Sequence, residues 1–261
     1  MLYKILICLL GSFGAGLGTG FAGMSAAVFI SPVLITFLDL PVYDSVCISL
    51  FSDILASAVS AYTYGKEGNL DLKRGRPLLI SVLIFTIIGS LIAWLLSSTS
   101  PGNTTLSYLT IIGTLALGIN FLIHPDRSKK SSPIPITGHR RLLTLLGGAG
   151  IGIVCGFQGT GGGMMLLFVL TVIMQFNFRT AVGTSVFIMT FTALIGGITH
   201  VMVNGWPDLV LLLICCPCTA IFAGIASKIA NRKSERFLGL TIGVVVTISA
   251  ALMLLMNLLG Y

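Results

Sequence analysis

Long runs of apolar residues limit the fold of this chain more than any other feature. They cover 43–64, 77–97, 105–123, 180–203, 207–227 and 237–259. Each is close to the ~20 residues that an α-helix needs to cross the hydrocarbon core of a bilayer. Only 9% of the chain is charged, whereas soluble domains carry about 25% charged residues. The sequence therefore predicts an all-α polytopic membrane protein.

Two pairs of shorter apolar segments precede these long runs, one pair in each half of the chain. The pairs are 2–17 with 22–38, and 142–157 with 162–176. A glycine-rich stretch separates the two members of each pair, and each glycine in a helix costs roughly 1 kcal/mol relative to alanine. Broken backbone at membrane depth is tolerated only where protein buries it or where it lines a cavity. Each pair is therefore predicted to be a re-entrant or broken helix hairpin that turns near the membrane centre.

The two halves are similar in sequence, which indicates an internal repeat. Gly18-Thr19-Gly20 matches Gly159-Thr160-Gly161, and residues 45–51 can be aligned with 181–187. Each half thus consists of a short helix pair followed by three transmembrane helices. We predict a first repeat at 1–123, a basic linker at 124–141 and a second repeat at 142–261.

The basic residues predict the orientation of the repeats. Apart from Lys4, they lie in 66–76, in the linker, at Arg179 and in 228–236. If each short pair returns to its starting side, these positions share one face, which the positive-inside rule assigns to the cytoplasm. The linker is then cytoplasmic, both termini lie outside, and the two repeats have opposite orientations. Inverted repeats of this kind are an architecture of secondary transporters.

The chain resembles the sulfite exporter TauE/SafE family, which is also called the 4-toluene sulfonate uptake permease family. The resemblance is carried by Gly156-Phe157-Gln158-Gly159-Thr160-Gly161-Gly162-Gly163, by Arg179-Thr180-Ala181-Val182-Gly183-Thr184-Ser185, and by their copies in the first half. It extends over nearly the whole chain. It implies a permease of a bacterial-type cell membrane that transports sulfur oxyanions or organosulfonates, coupled to an ion gradient.

The glycine-rich tips of the two hairpins are predicted to bind a small anion. A turn that leads into a new helix presents unpaired N–H groups and the positive end of the helix dipole, and glycine lets an anion approach them closely. Hydroxyl and amide groups nearby add donors. The predicted substrate-binding residues are Gly18, Thr19, Gly20, Ser25, Ser49, Gln158, Gly159, Thr160, Gly161, Gly162, Gly163, Thr184 and Ser185. The alternative is that these glycines only let helices pack closely.

Asp53 is an ionisable residue deep within a long apolar run, and it is the predicted ion-coupling residue. An intramembrane carboxylate is by default a functional hypothesis. Asp53 would accept a coupling proton or help to hold a coupling cation. The alternative is a structural carboxyl group bonded to neighbouring serines. The serines and threonines around it, in turn, either face a polar path or bond back to their own helix carbonyls.

Other function classes find less support in the sequence. A membrane enzyme would need a catalytic set of side chains, and no Ser–His–carboxylate set, histidine cluster or nucleotide-binding motif is visible. We therefore expect no catalytic residues, no metal site, no cofactor and no nucleic-acid partner, and the six cysteines are interpreted as apolar filler. The expected partners are the anion, the coupling ion and the lipid bilayer. A passive anion channel, a structural subunit of a membrane complex and a homodimer remain open.

Overall fold

The computed structural model describes residues 2–96, 119, 122–123, 138–158, 162–234, 236–237, 240–241, 243–244, 247–248, 251 and 254–255. No strand occurs within these ranges, so the all-helical prediction is confirmed for them. The predicted spans 105–123 and 237–259, and most of the linker 124–141, lie outside the described residues.

Between residues 2 and 96, the first half contains four α-helices and one short 3-10 helix. These are α1 (Leu2–Ala22), the 3-10 helix (Ala26–Val28), α2 (Ile30–Leu38), α3 (Val42–Lys66) and α4 (Leu72–Leu96). We call α1, α2 and the chain between them hairpin 1. Residues 23–25, between α1 and the 3-10 helix, form its tip.

The second half repeats this order of elements. It contains α5 (Gly138–Gln158), α6 (Gly163–Phe168) continuing as a π-helix (Val169–Ile173), α7 (Phe178–Asn204) and α8 (Leu209–Arg232). Hairpin 2 consists of α5, α6 and the π-helix, and its tip is 159–163. Within the described ranges, five helices are long and apolar enough to cross a membrane, namely α1, α3, α4, α7 and α8.

The backbone conformations at corresponding places in the two hairpins agree. A glycine in the left-handed region follows the first helix of each hairpin: Gly23 has a φ of 63° and Gly162 a φ of 66°. A non-glycine residue in the same region ends each hairpin, with a φ of 52° at Asp39 and 54° at Gln175. Non-glycine residues rarely adopt this conformation, so its occurrence at both places strengthens the correspondence between the halves.

Hairpin 1 differs from the prediction in where its first helix ends. We expected the glycine-rich stretch to interrupt the helix after residue 17, but α1 continues to Ala22, so this prediction is wrong. The reason is close packing against α8. A methyl group built on Gly16 would lie 2.5 Å from Cβ of Phe222, and one on Gly20 would lie 2.5 Å from Cβ of Ala226. Close helix contact at small residues outweighs the low helix propensity of glycine.

The first helix of each half packs in parallel against a helix of the other half, α1 against α8 and α5 against α4. Along α1 and α8, Ser12 donates a hydrogen bond to the Cys215 carbonyl at 3.4 Å, and Gly20 lies against Ala226 two to three turns further on. Along α4 and α5, Ser81 donates to the Leu145 carbonyl at 2.7 Å and Ser90 donates to the Gly156 carbonyl at 3.3 Å. The two halves are therefore interleaved.

Helices α3 and α7 cross the centre of the bundle antiparallel to each other. The rings of Tyr43 and His200 are 6.1 Å apart at one end, and the hydroxyls of Ser57 and Thr190 are 2.9 Å apart further along. Helix α3 runs parallel to α8, because Ser52 contacts Cys216 near their middles and Asn69, just beyond α3, contacts Asn231 near the end of α8.

The start of α4 lies beside the start of α7, since the Asp71 N–H contacts the Thr184 hydroxyl at 3.3 Å. These two helices are therefore parallel as well. Helices α1, α3 and α8 run in one direction, and α4, α5 and α7 run in the other.

Each hairpin returns to the end of the bundle at which it began. In hairpin 1 the Tyr3 hydroxyl donates to the Phe37 carbonyl at 3.3 Å. In hairpin 2 the Arg140 guanidinium donates to the Gln175 side-chain oxygen at 3.2 Å. Arg74 also reaches this second end, where it donates to the Met174 carbonyl at 3.1 Å. Basic residues thus collect at the end where hairpin 2 begins, which we call the basic end.

The contact between α1 and α8 predicts the effect of a single methyl group. Gly16→Ala should lower the free energy of unfolding by about 1–3 kcal/mol because the added Cβ overpacks the interface. Gly150→Ala is the matched control, since a Cβ there meets no atom within 4 Å. Thermal unfolding in detergent should show a lower Tm for Gly16→Ala and an unchanged or higher Tm for Gly150→Ala. Equal Tm values would contradict the described packing.

Candidate functional site

The end of α1 closes on itself through backbone hydrogen bonds. The Gly23 N–H donates to the Thr19 carbonyl at 2.9 Å and the Met24 N–H donates to the Gly18 carbonyl at 3.2 Å. The Thr19 hydroxyl donates to the Met24 carbonyl at 2.8 Å. The bond from Gly23 to Thr19 is that of an αL C-cap, which requires a left-handed residue after the helix and so favours glycine at position 23. Gly18, Thr19 and Gly20 therefore lie in the last turn of α1, just before the tip.

The tip of hairpin 1 is fixed to α3 by Asp53. The Ala26 N–H donates to Oδ1 of Asp53 at 2.5 Å, and the Ser25 hydroxyl donates to Oδ2. Ser25 also accepts a hydrogen bond from the Ala27 N–H at 3.3 Å, so it caps the 3-10 helix. The carboxylate thus lies where an anion would bind at the start of a helix.

Asp53 lies near the middle of α3 and is completely buried. The described bonds bear out the interpretation of a structural carboxyl group with a serine partner, and they add a backbone donor that the sequence did not predict. A role in ion coupling is compatible with these bonds, because the charge of the carboxylate sets how strongly it holds the tip of hairpin 1. The coupling role stays a prediction.

The tip of hairpin 2 is organised around Gly162 and Gly163. Gly162 adopts the left-handed conformation and precedes α6, and no side chain is seen to cap the start of α6 in the part of the chain that the structure describes. The predicted residues Gly159, Thr160 and Gly161 lie outside the described residues, as does the side chain of Gln158, the last residue of α5. Their roles stay predictions.

The two tips touch each other inside the bundle. A Cβ built on Gly163 would overlap the carbonyl oxygen of Gly23 and would lie 2.7 Å from Sδ of Met189. A Cβ on Gly23 would lie 2.6 Å from the Ser185 hydroxyl. Only residues without a side chain allow this approach. Gly23, Gly163 and Ser185 therefore meet at one point, and Ser25 and Asp53 lie beside it on hairpin 1.

Two predicted residues lie outside this meeting point. Ser49 is one turn from Asp53 toward the start of α3, and its hydroxyl is 2.8 Å from that of Ser31 in α2. Thr184 accepts a hydrogen bond from the Asp71 N–H at the start of α4. Both side chains are buried. Each links helices next to a tip, and direct contact of either with substrate stays a prediction.

Most hydroxyl groups along α3 and α7 bond back to their own helix. In α3, Ser49, Ser52, Ser57 and Thr63 donate to the carbonyl four residues earlier. In α7, Ser185, Thr190, Thr192 and Thr199 do the same over three or four residues. The alternative of back-bonded hydroxyls is therefore confirmed for these residues. The Ser60 hydroxyl is different, because it is fully buried and has no partner among the described residues.

Sequence reasoning missed three residues at the tips. Gly23 was inside the glycine-rich stretch, but we did not predict it as a site residue; the signal for it is that a glycine commonly follows a helix end. No sequence pattern pointed to Met189, and the structure identifies it because its Sδ lies beside Gly163. Tyr64 was not predicted as a site residue either; it is fully buried, and its hydroxyl donates to the Gly20 carbonyl at 2.9 Å.

The arrangement can bind a small polar solute. Asp53 is the one ionisable side chain that bonds to either tip within the described ranges. The start of α6 supplies backbone N–H donors, whereas the Ser25 and Ser185 hydroxyls donate to Asp53 and to the Val182 carbonyl. Two re-entrant tips that meet inside a bundle of apolar, membrane-length helices define a class of protein, the polytopic membrane transporter.

Comparison with known proteins identifies the family. The family model described as "Sulfite exporter TauE/SafE" matches residues 8–253. The chain belongs to the sulfite exporter TauE/SafE family of membrane transporters, and the resemblance noted in the sequence is confirmed.

Two curated proteins of Bacillus subtilis (strain 168) are similar to the chain over most of its length. "Probable membrane transporter protein YdhB" is 25% identical over 230 residues, which are 87% of this chain and 90% of that protein. "Probable membrane transporter protein YunE" is 25% identical over 230 residues, which are 84% of this chain and 83% of that protein. No solved structure matches the chain.

The contact between the tips predicts the result of substituting Gly163. In Gly163→Ala the new methyl group would push the Gly23 carbonyl away, and overpacking of about 1–3 kcal/mol, if it raises the transport barrier by that amount, lowers the rate by about 5- to 150-fold. Transport by purified, reconstituted protein is the measurement. Gly65→Ala, where a Cβ meets nothing within 4 Å, is the control. Full activity of Gly163→Ala would show that the tips are not part of the transport path.

Proposed function

We propose that this chain is a secondary transporter that moves a small anion across the cell membrane, coupled to an ion gradient. The observation that carries the proposal is the contact of Gly23 with Gly163 inside the bundle. Both tips lead into the start of a helix, and at the second tip no described side chain caps that start. Backbone donors at the start of a helix within the membrane need a partner, and we propose that the transported anion provides it at the second tip.

The anionic character of the substrate follows from the kind of donors at the tips. The start of a helix carries a partial positive charge, and glycine allows close approach to its N–H groups. Such a site binds a compact oxyanion without an arginine at membrane depth, which would cost several kcal/mol. Thr160 is proposed as an additional hydroxyl donor and Gln158 as an amide donor, whereas the hydroxyls of Ser25 and Ser185 already donate to Asp53 and to the Val182 carbonyl.

The chemical class of the substrate is proposed from the family. The matching family is described as a sulfite exporter, and sulfite, thiosulfate and small organosulfonates are all compact anions that present several oxygen acceptors. We propose a substrate of this class. A passive anion channel is the second candidate, since a channel would use the same backbone donors without coupling.

We further propose that residues 1–123 and 142–261 are inverted repeats. Three observations support this. Helices α1 and α3 run opposite to their counterparts α5 and α7, and α4 runs opposite to α8. The left-handed residues Gly23 and Gly162 occupy the same place in the two hairpins. Each hairpin returns to its starting end, and the two hairpins start at opposite ends.

The basic end of the bundle is proposed to face the cytoplasm. Arg74, Arg140 and Arg179 lie at the starts of α4, α5 and α7, and Arg232 ends α8. By the positive-inside rule this end is cytoplasmic. The linker 124–141 is then inside, and both termini are outside the cell membrane.

This orientation can be tested with reporter fusions in cells. Alkaline phosphatase fused after Tyr261 should be active, because that enzyme folds only outside the cytoplasm, whereas a fusion at Lys130 should be inactive. Green fluorescent protein at the same two positions should give the reverse pattern. An active phosphatase at Lys130 would contradict the proposed orientation.

The transport proposal is tested by flux measurements on purified protein in liposomes. Radiolabelled sulfite, thiosulfate, sulfate and small organosulfonates are offered with and without an imposed ion gradient. We expect at least one of these anions to accumulate against its gradient when an ion gradient is present. Equilibration that ignores every gradient would favour the channel. Absence of any flux, in protein that unfolds cooperatively on heating, would refute the transport proposal.

A further inference from the structure

We infer that the coupling ion is a proton carried by Asp53, and that its binding releases the tip of hairpin 1 from α3. This inference rests on the proposed transport function and specifies its coupling step. The site involved is the contact of the Asp53 carboxylate with Ser25 and Ala26.

Both oxygens of the carboxylate bind hydrogen-bond donors of hairpin 1. Oδ1 accepts from the Ala26 backbone N–H at 2.5 Å, and Oδ2 accepts from the Ser25 hydroxyl. The side chain is fully buried. Hydrogen bonds to an ionised acceptor are roughly twice as strong as neutral ones, so the ionised carboxylate binds the tip of hairpin 1 strongly.

The donors around the carboxylate favour a proton over a metal cation. A backbone N–H cannot coordinate a cation, and the Ala26 N–H occupies one lone pair of Oδ1. A proton needs only one lone pair of the carboxylate, and it removes the negative charge that strengthens the hydrogen bonds from Ser25 and Ala26.

No neighbouring helix supplies a charged partner to Asp53 in the described part of the chain. Helix α8 presents the Cys216 thiol, a titratable group, and this thiol contacts Ser52 at 3.6 Å. Helix α7 presents the Thr190 hydroxyl, which lies 2.9 Å from the Ser57 hydroxyl and donates to the Val186 carbonyl. Hairpin 1 presents Ser25 and an N–H group. A buried carboxylate without a counter-charge is costly to keep ionised, so a proton is the natural compensating ion.

Protonation of Asp53 would be transmitted to the anion site through the contact of the tips. The neutral carboxyl group holds Ser25 and Ala26 less strongly, which allows the tip of hairpin 1 to move. The Gly23 carbonyl lies against Gly163, so this movement changes the space at the start of α6. Proton binding and anion access are thereby linked, and the linkage acts in both directions.

The first test compares driving ions with wild-type protein in liposomes. Accumulation of labelled sulfite and thiosulfate is measured under an imposed pH gradient, under an imposed sodium gradient, and with both ions equal on the two sides. We expect accumulation with the pH gradient alone and no effect of sodium. Sodium-driven accumulation would overturn the inference and leave the proposed function intact.

The second test uses substitutions of Asp53 and of its partner Ser25, together with one control substitution. Asp53→Asn is always neutral, so it should lose pH-gradient-driven accumulation while it retains exchange of labelled for unlabelled anion. Ser25→Ala removes one donor to the ionised carboxylate, so the pH profile of uptake should move toward higher pH by about one unit. Ser52→Ala removes a neighbouring buried hydroxyl that bonds to the Ile48 carbonyl, and its pH profile should match that of the wild type.

A spectroscopic measurement keeps the inference testable if Asp53→Asn does not fold. Infrared difference spectra of the wild type between acidic and neutral pH should contain the C=O band of a protonated, buried carboxylic acid, and this band should shift in Ser25→Ala but not in Ser52→Ala. Absence of the band, or full proton-driven accumulation by Asp53→Asn, would overturn the inference. If the wild type moves no anion under any gradient or in exchange, the proposed function fails, and the coupling inference fails with it.

Discussion

The constraint on which this structure depends is that a backbone inside a membrane must satisfy its own hydrogen bonds. Both hairpins break their helices within the bundle, so each break needs internal partners. At the first break the N–H groups of Gly23 and Met24 bond to carbonyls at the end of α1, and Ser25 and Asp53 bond to N–H groups at the start of the next helix. At the second break the start of α6 has no described side-chain cap. This difference between two otherwise matching hairpins is the basis for placing the anion at the second tip and the proton at the first.

The interleaving of the halves provides a frame around these breaks. Helix α1 lies against α8 and α5 lies against α4, and glycines at both contacts bring the backbones close. A methyl group on Gly152 would lie 2.5 Å from the Val82 carbonyl oxygen, which shows how little room the second contact leaves. Close packing of this kind resists deformation. This packing fixes α1 and α5, the first helices of the two hairpins. The tip of hairpin 1 is held by a small number of hydrogen bonds, which a change in the charge of Asp53 can weaken.

The sequence predicted the class and the hairpins but not the exact position of the tips. Apolar runs identified α3, α4, α7 and α8, and the glycine-rich breaks identified the return of each hairpin, because hydrophobicity and backbone freedom are local properties. The end of α1 was misplaced because Gly16 and Gly20 serve helix packing, which depends on residues of α8 some 200 positions away in the sequence. The partner of Asp53 could not be read from its own helix for the same reason. Ser25 was predicted as a substrate donor, whereas the described structure commits its hydroxyl to Asp53.

The most direct test of the account is to locate the bound anion. Electron cryo-microscopy of the protein in a lipid nanodisc, with and without a saturating concentration of thiosulfate, would show where the ligand lies. The account predicts ligand density between the tips, within hydrogen-bond distance of the backbone at the start of α6 and close to Gly23 and Ser185. Density at another place in the bundle, with the Gly23–Gly163 contact unchanged, would contradict the account.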